Sequence, residues 1–193
     1  MQERDQNGHK VASSSGKFMG WNTIHRIDNG APYMTRFWIG RLRLHIFHRG
    51  DEDPDPHCHP WDFWTFPLVS YVEEVTSPLL AHALQNTDTV GCLPPDYTVK
   101  TCHVVRAWRW NFRPATHTHR VLGAFDGYNP SVSDSDFSFS FEPRVKPGKK
   151  IVTLIWRSKE YRKWGFLKNR DGKWCWVAWR DYVLGGGKDA PCE

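Results

Sequence analysis

Apolar residues fall in short runs rather than in helical stripes. The segments 33–39, 41–48, 63–75, 97–105, 108–112, 119–124, 137–141, 151–157 and 174–182 are rich in aromatic and β-branched residues. Pro, Gly and Asp break them apart, which predicts strands. In Arg41-Leu42-Arg43-Leu44-His45-Ile46-Phe47, residues 42, 44 and 46 share one face and 41, 43 and 45 the other. Short strands, frequent turn signals and no intervening helices predict an all-β sandwich or barrel. Residues 130–136 read as a Ser/Asp-rich loop. Residues 1–17 read as a disordered N-terminal tail, 18–184 as one β-barrel domain and 185–193 as a flexible C-terminal tail.

Composition excludes some classes. Eleven Trp and 15% aromatics are too much core-type surface for a disordered chain. No run approaches the ~20 apolar residues of a membrane span. The first 18 residues lack an apolar stretch, so no secretory signal is read there. Five cysteines with no CxxC pair speak against a disulfide framework and for a reducing cytoplasm.

The net charge of +5 is uneven. Residues 144–173 hold eleven basic side chains against Glu160 and Asp171, a local +9. Such a stretch reads as a solvated sheet edge guarded by lysines or as a stripe that attracts anions. With Trp164 and Trp174 interleaved, single-stranded nucleic acid is one candidate partner.

Two His-x-His pairs, His57-Cys58-His59 and His117-Thr118-His119, carry the candidate chemistry. Chance alone gives about 0.5 such pairs at this His frequency. In an extended strand, i and i+2 side chains share a face, ~7 Å apart. Two imidazoles can then converge on one ion, a third from another strand completes a facial set, and open positions remain. Cys58 should face away. The carboxylates of residues 51–55 could orient the imidazoles through their second nitrogens. No nucleophile elbow or phosphate-binding loop is present in the sequence. His45 and His48 read as structural.

The pattern resembles the cupins, β-barrels of double-stranded β-helix (jelly-roll) form. Their first motif supplies His-x-His followed by Glu, and their second a His five residues after a proline. His57 and His59 match the first pair, and His119, five residues after Pro114, matches the second. More narrowly, His59-Pro60-Trp61-Asp62-Phe63-Trp64, Tyr71-Val72-Glu73-Glu74, His119-Arg120-Val121 and Trp164-Gly165-Phe166 resemble uncharacterised cupin-like proteins of phage and actinobacterial type. The match departs in three places. Asp51 stands where the first motif has glycine, with Gly50 one step off, and Thr116 stands at the second-motif glycine. Phe63 and Trp64 stand where the motif has Glu.

The resemblance implies a three-His metal site of His57, His59 and His119, closer to thiol-dioxygenase sites than to oxalate-decarboxylase ones. The implied cofactor is a divalent transition metal, Fe2+ first, with Zn2+, Mn2+, Ni2+ or Cu2+ as alternatives. A neutral ligand set favours a small anionic substrate. Asp62 is an alternative carboxylate ligand should Pro60 shift the strand parity. His117, Asp62, Glu73 and Tyr71 are candidates for proton transfer, His117 also as a fourth ligand. Glu73 and Glu74 have opposite parity, so one of them at most faces the interior. Arg36, Arg41, Arg43 and Arg120 are candidates for gripping an acid group, and Trp64 and Trp108 for walling the substrate pocket. The expected activity is an oxygenase. An isomerase or epimerase of a sugar or nucleotide sugar, or a non-catalytic metal-binding module, are alternatives. A homodimer is expected as a further partner state, and no membrane partner.

Overall fold

The computed structural model describes residues 11–15, 18–25, 30–77, 91–92, 100–132 and 139–192. The strands are β1 (Val11–Ser15), β2 (Met19–His25), β3 (Pro32–Ile39), β4 (Leu42–Phe47), β5 (Phe63–Pro67), β6 (Tyr71–Thr76), β7 (Gly91–Cys92), β8 (Lys100–Val105), β9 (Asn111–Arg113), β10 (His119–Val132), β11 (Phe139–Lys146), β12 (Ile151–Arg157), β13 (Gly165–Arg170) and β14 (Lys173–Ala178). A short helix, α1 (Trp179–Leu184), follows. No helix among the described residues is long and apolar enough to cross a membrane.

The strands form an antiparallel sheet in the order β1-β2-β3-β4-β12-β5-β9, a second in the order β11-β10-β6-β8, and a small third, β13-β14-β7. On the free side of β10, His57 makes an antiparallel bridge to His119. The segment 51–59 therefore acts as an irregular strand beside β10. Reading along the chain, β4 lies in the first sheet, 51–59 beside the second, β5 in the first, β6 and β8 in the second, β9 in the first, β10 in the second and β12 in the first. This winding back and forth between two sheets is the jelly roll. Tyr71, Val105, Val121, Ala124 and Ile151 close its apolar end, with Phe47 and Val69 packed against them.

Gly50 lets the irregular strand approach. A Cβ there would stand 2.1 Å from the Leu122 carbonyl oxygen. With no Cβ, Asp51 N–H reaches Val121 O at 2.6 Å and Asp51 Oδ2 accepts Val121 N–H at 2.7 Å. The glycine displaced from its motif position thus still serves close backbone approach.

Several boundaries differ from the sequence reading. The run 63–75 divides at 68–70, where the chain crosses from the first sheet to the second. β9 begins at Asn111, because Trp108 turns the chain at φ 62°. The run 174–182 changes from β14 to α1 after Ala178, and Tyr182 on that helix stacks on Phe166 at 3.9 Å between centroids. β2 and β13 were not anticipated. Residues 97–99, 133–138 and the chain ends 1–10 and 193 lie outside the described residues, while Val11–Ser15 pairs with β2.

The end of the chain folds back. Lys168, 1% exposed, donates to the carbonyls of Gly187 and Ala190. Lys188 pairs with Asp53 at 2.5 Å. Cys192 thereby reaches Cys175 and forms a disulfide, Cα to Cα 5.7 Å. This corrects the disulfide-free expectation: the partners are 17 residues apart and joined by tertiary contacts, so spacing alone does not reveal them.

The alternation of 41–47 holds, and its polar face is the inner one. Arg43, His45 and Phe47 point into the barrel, and Leu42, Leu44 and Ile46 lie on the outer face.

Candidate metal centre

Backbone pairing sets the histidines. His57 N–H donates to His119 O at 2.9 Å and His119 N–H to His57 O at 3.0 Å. His59 N–H donates to Ala115 O at 3.1 Å. The extended backbone puts His57 and His59 on the inner side and Cys58 on the other, fully buried, where its Sγ accepts from Gly165 N–H. The rings form a near-equilateral triangle, with centroid separations of 5.2 Å (57–59), 5.4 Å (57–119) and 5.2 Å (59–119). One nitrogen from each lies within 4.8 Å of the others.

The inner end of the triangle has ligand geometry. His59 Nε2 and His119 Nε2 are 3.0 Å apart. Two nitrogens held at right angles on an ion with bonds of ~2.1 Å are separated by about 3.0 Å. His119 Nδ1 donates to Glu73 Oε2 at 2.9 Å, which leaves the Nε2 lone pair pointing at His59. The donor set therefore fits a divalent transition metal.

Glu73 is buried behind His119. Burial opposes its ionisation, but the adjacent His117, the hydrogen bond from His119 and the Arg113 guanidinium hold its carboxyl well below the usual carboxylate range. Arg113 donates to Glu73 Oε1 at 2.5 Å. Burial pushes His57 down to about 4, although Asp51 pulls the other way. Burial, then the neighbouring His57 and His119, push His59 well below its ordinary value. Both imidazoles are thus neutral at pH 7, the state a metal requires.

Glu73, His117 and His119 form a second group with ligand atoms within 4.8 Å. His117 Nε2 stands 3.5 Å from Glu73 Oε1, and burial pushes its pKa down to about 4 against the pull of that carboxylate. Neither Glu73 nor His117 lines the cavity. They touch His119 on the side away from the cavity.

A cavity of about 1790 Å³ opens in front of the triangle. Tyr71 lines it, its phenol kept protonated by burial and the Glu73 charge. Asp62 does not. Its Oδ1 accepts from Ala115 N–H at 2.7 Å and Tyr161 O–H at 2.7 Å, which occupies it structurally. Phe63, at the motif's Glu position, packs on His59 at 4.6 Å.

Of the arginines, Arg36 and Arg43 line the cavity. Arg41 lies exposed in the β3–β4 turn. Arg120 points away, bound to Glu74 at 3.0 and 3.2 Å. Trp64 and Trp108 are also outside the cavity: Trp64 has outward parity on β5 and contacts Phe112, and Trp108 is 69% exposed in its turn. The acids of 51–55 do not orient the imidazoles. Asp51 binds Tyr33 and Val121 N–H, and Asp55 binds Arg170 and Tyr182. Sequence reasoning missed Arg157, Arg113 and the cavity position of His45.

The basic segment 144–173 is no single stripe. Arg157, Arg162 and Lys163 line the cavity, Lys168 is buried, Arg170 pairs with Asp55 and Trp174 is 3% exposed.

No protein-family model matches the chain, and no curated protein matches it. Solved structures do. The polyketide cyclase RemF from Streptomyces resistomycificus is 12% identical, with 99% of this chain and 94% of that one covered, at TM-score 0.37. Hydroxypropylphosphonic acid epoxidase from S. wedmorenis is 9% identical, with 81% and 58% covered, at TM-score 0.31. Drosophila melanogaster CENP-C bound to CAL1 is 7% identical, with 77% and 76% covered, at TM-score 0.32. At these scores the likenesses assign neither family nor activity. The fold rests on the strand order described above.

Proposed function

We propose that the protein is a metal-dependent jelly-roll enzyme of cupin type, with His57, His59 and His119 as ligands and oxygenase chemistry on a small anionic organic substrate. The observation that carries this reading is the convergence of three imidazoles at the wall of an open cavity, with Phe63 in place of a carboxylate ligand. A divalent ion held there, Fe2+ first, supplies a Lewis-acidic centre with free positions and, for iron, redox chemistry.

The chain's own residues prepare the site. Glu73 holds the Nδ1 proton of His119 and so aims the Nε2 lone pair. His117 and His119, with Arg113 bound to Oε1, keep Glu73 ionised. Phe63 shields His59. Tyr71 presents a protonated phenol to the cavity.

The test is metal content after purification without added ions. About one transition-metal ion per chain is expected, falling below a tenth in His57→Ala and His119→Ala. Equal content in variants and wild type contradicts the site. Oxygen consumption over a panel of thiols and small organic acids then separates an oxygenase from a passive metal binder.

A further inference from the structure

We propose that the cavity wall facing the histidines is an anion site, in which the guanidinium groups of Arg43 and Arg157, with Arg36 beside them, grip the acid group of an organic acid. The observations lie on the first sheet. β2, β3, β4, β5 and β12 contain no Asp or Glu. Their arginines, Arg36, Arg43 and Arg157, all line the cavity.

The cavity's carboxylates are mostly committed elsewhere. Asp51 is held by Tyr33, Asp53 by Lys188, Asp55 by Arg170, and Glu52 by Arg49. Glu160 acts on Arg157 through its charge alone. Arg43 donates to a backbone carbonyl, Gly40 O, at 3.1 Å and lies over Trp38 at 5.7 Å. Arg157 lies over Trp61 at 4.5 Å, and its Nε is buried without a hydrogen-bond partner.

Like charges gathered on one wall repel. Burial, then the charges of Arg157 and Arg36, lower Arg43 to about 10. An anion seated among them removes that repulsion and engages planar donor forks suited to two-oxygen acceptors. Arg157 is in register with Phe63, the ring that packs on His59. An acid held by Arg157 therefore sits one residue's width from the histidine triangle. The ligand class is a carboxylate or phosphate-bearing organic molecule. This deepens the metal-enzyme reading and rests on it only for the orientation of the reacting end.

The test is calorimetric titration of the purified protein with benzoate, phenyl phosphate and the neutral analogue benzamide. At least one anion should bind tenfold or more tighter than benzamide, and the stronger of the two assigns the acid group. Arg43→Gln and Arg157→Gln should each weaken the anion at least tenfold with metal content unchanged. Arg43→Lys and Arg157→Lys keep the charge and serve if the Gln variants fail to fold; loss of the fork should still weaken binding severalfold. Benzamide binding as well as both anions, or unchanged affinity in the arginine variants, overturns the anion site and leaves the metal reading standing. Loss of metal in His57→Ala with anion binding kept separates the two in the other direction.

Discussion

The two faces of the first sheet depart from the usual arrangement. Its inner face mixes Asn22, Arg36, Arg43, His45, Thr65, Thr153 and Arg157 with Ile24, Met34, Trp38, Phe47, Phe63 and Ile155, and its outer face carries the exposed tryptophan, phenylalanine and aliphatic rows. A sheet with one face on a packed core normally buries the apolar side. Here the enclosed side is a working cavity, so polar residues are placed where a ligand needs them. The apolar rows of the outer side lie exposed. The difference teaches that alternation identifies a strand but not which face is inside. That depends on what each face meets.

The comparison can be broken most forcefully from inside. Arg43→Gln combined with Arg157→Gln should weaken the tighter of benzoate and phenyl phosphate at least 100-fold, read by calorimetry. On the outer face, Trp64→Glu combined with Trp156→Glu should leave anion affinity and metal content within twofold of wild type. A parallel loss of metal would mean that the faces are not independent.

Glu73→Gln sharpens the contrast from the opposite sheet. Removing the charged partner of His119 Nδ1 should lower metal affinity about 10- to 100-fold, the range for outer-shell carboxylates. Competition with a chelator reads it. The anion site should not respond.

The smallest effect concerns His45. Burial, then the charges of Arg36 and Arg43, hold its pKa well below 6.5. His59 also faces it. The unfolded chain therefore takes up a proton that the folded chain refuses. Full stability is present above pH 6.5 and declines as pH falls from there towards the folded value. His45's share of the slope is at most about 1.4 kcal/mol per pH unit. Metal-free His45→Gln should lose less stability between pH 6.5 and 5 than metal-free wild type, measured by denaturant unfolding.

Much of this was legible in the sequence, for local reasons. Strand parity placed His57 and His59 together and Cys58 apart, and it allowed only one of Glu73 and Glu74 inside. Glu73 is buried, and Glu74 pairs with Arg120. The meeting with His119 came from the motif resemblance, since no local pattern joins residues 60 positions apart. Other features were hidden because they are tertiary. The 41–47 alternation marked a strand and left open which side faces inward. Arg157 was lost in a segment counted as surface charge, although its strand contains no acid. α1 was masked by the aromatic run Trp174–Tyr182, and the Cys175–Cys192 bridge by a chain reversal anchored at Lys168 and Asp53.

The most direct measurement is an anomalous-scattering map from crystals of the protein grown without added metal. The account expects one strong peak bonded to one nitrogen each of His57, His59 and His119 at ~2.0–2.2 Å, with the remaining positions facing the arginine wall. A triangle holding no ion even after soaking in Fe2+ or Zn2+, or a peak bound instead by Glu73 and His117, would contradict it.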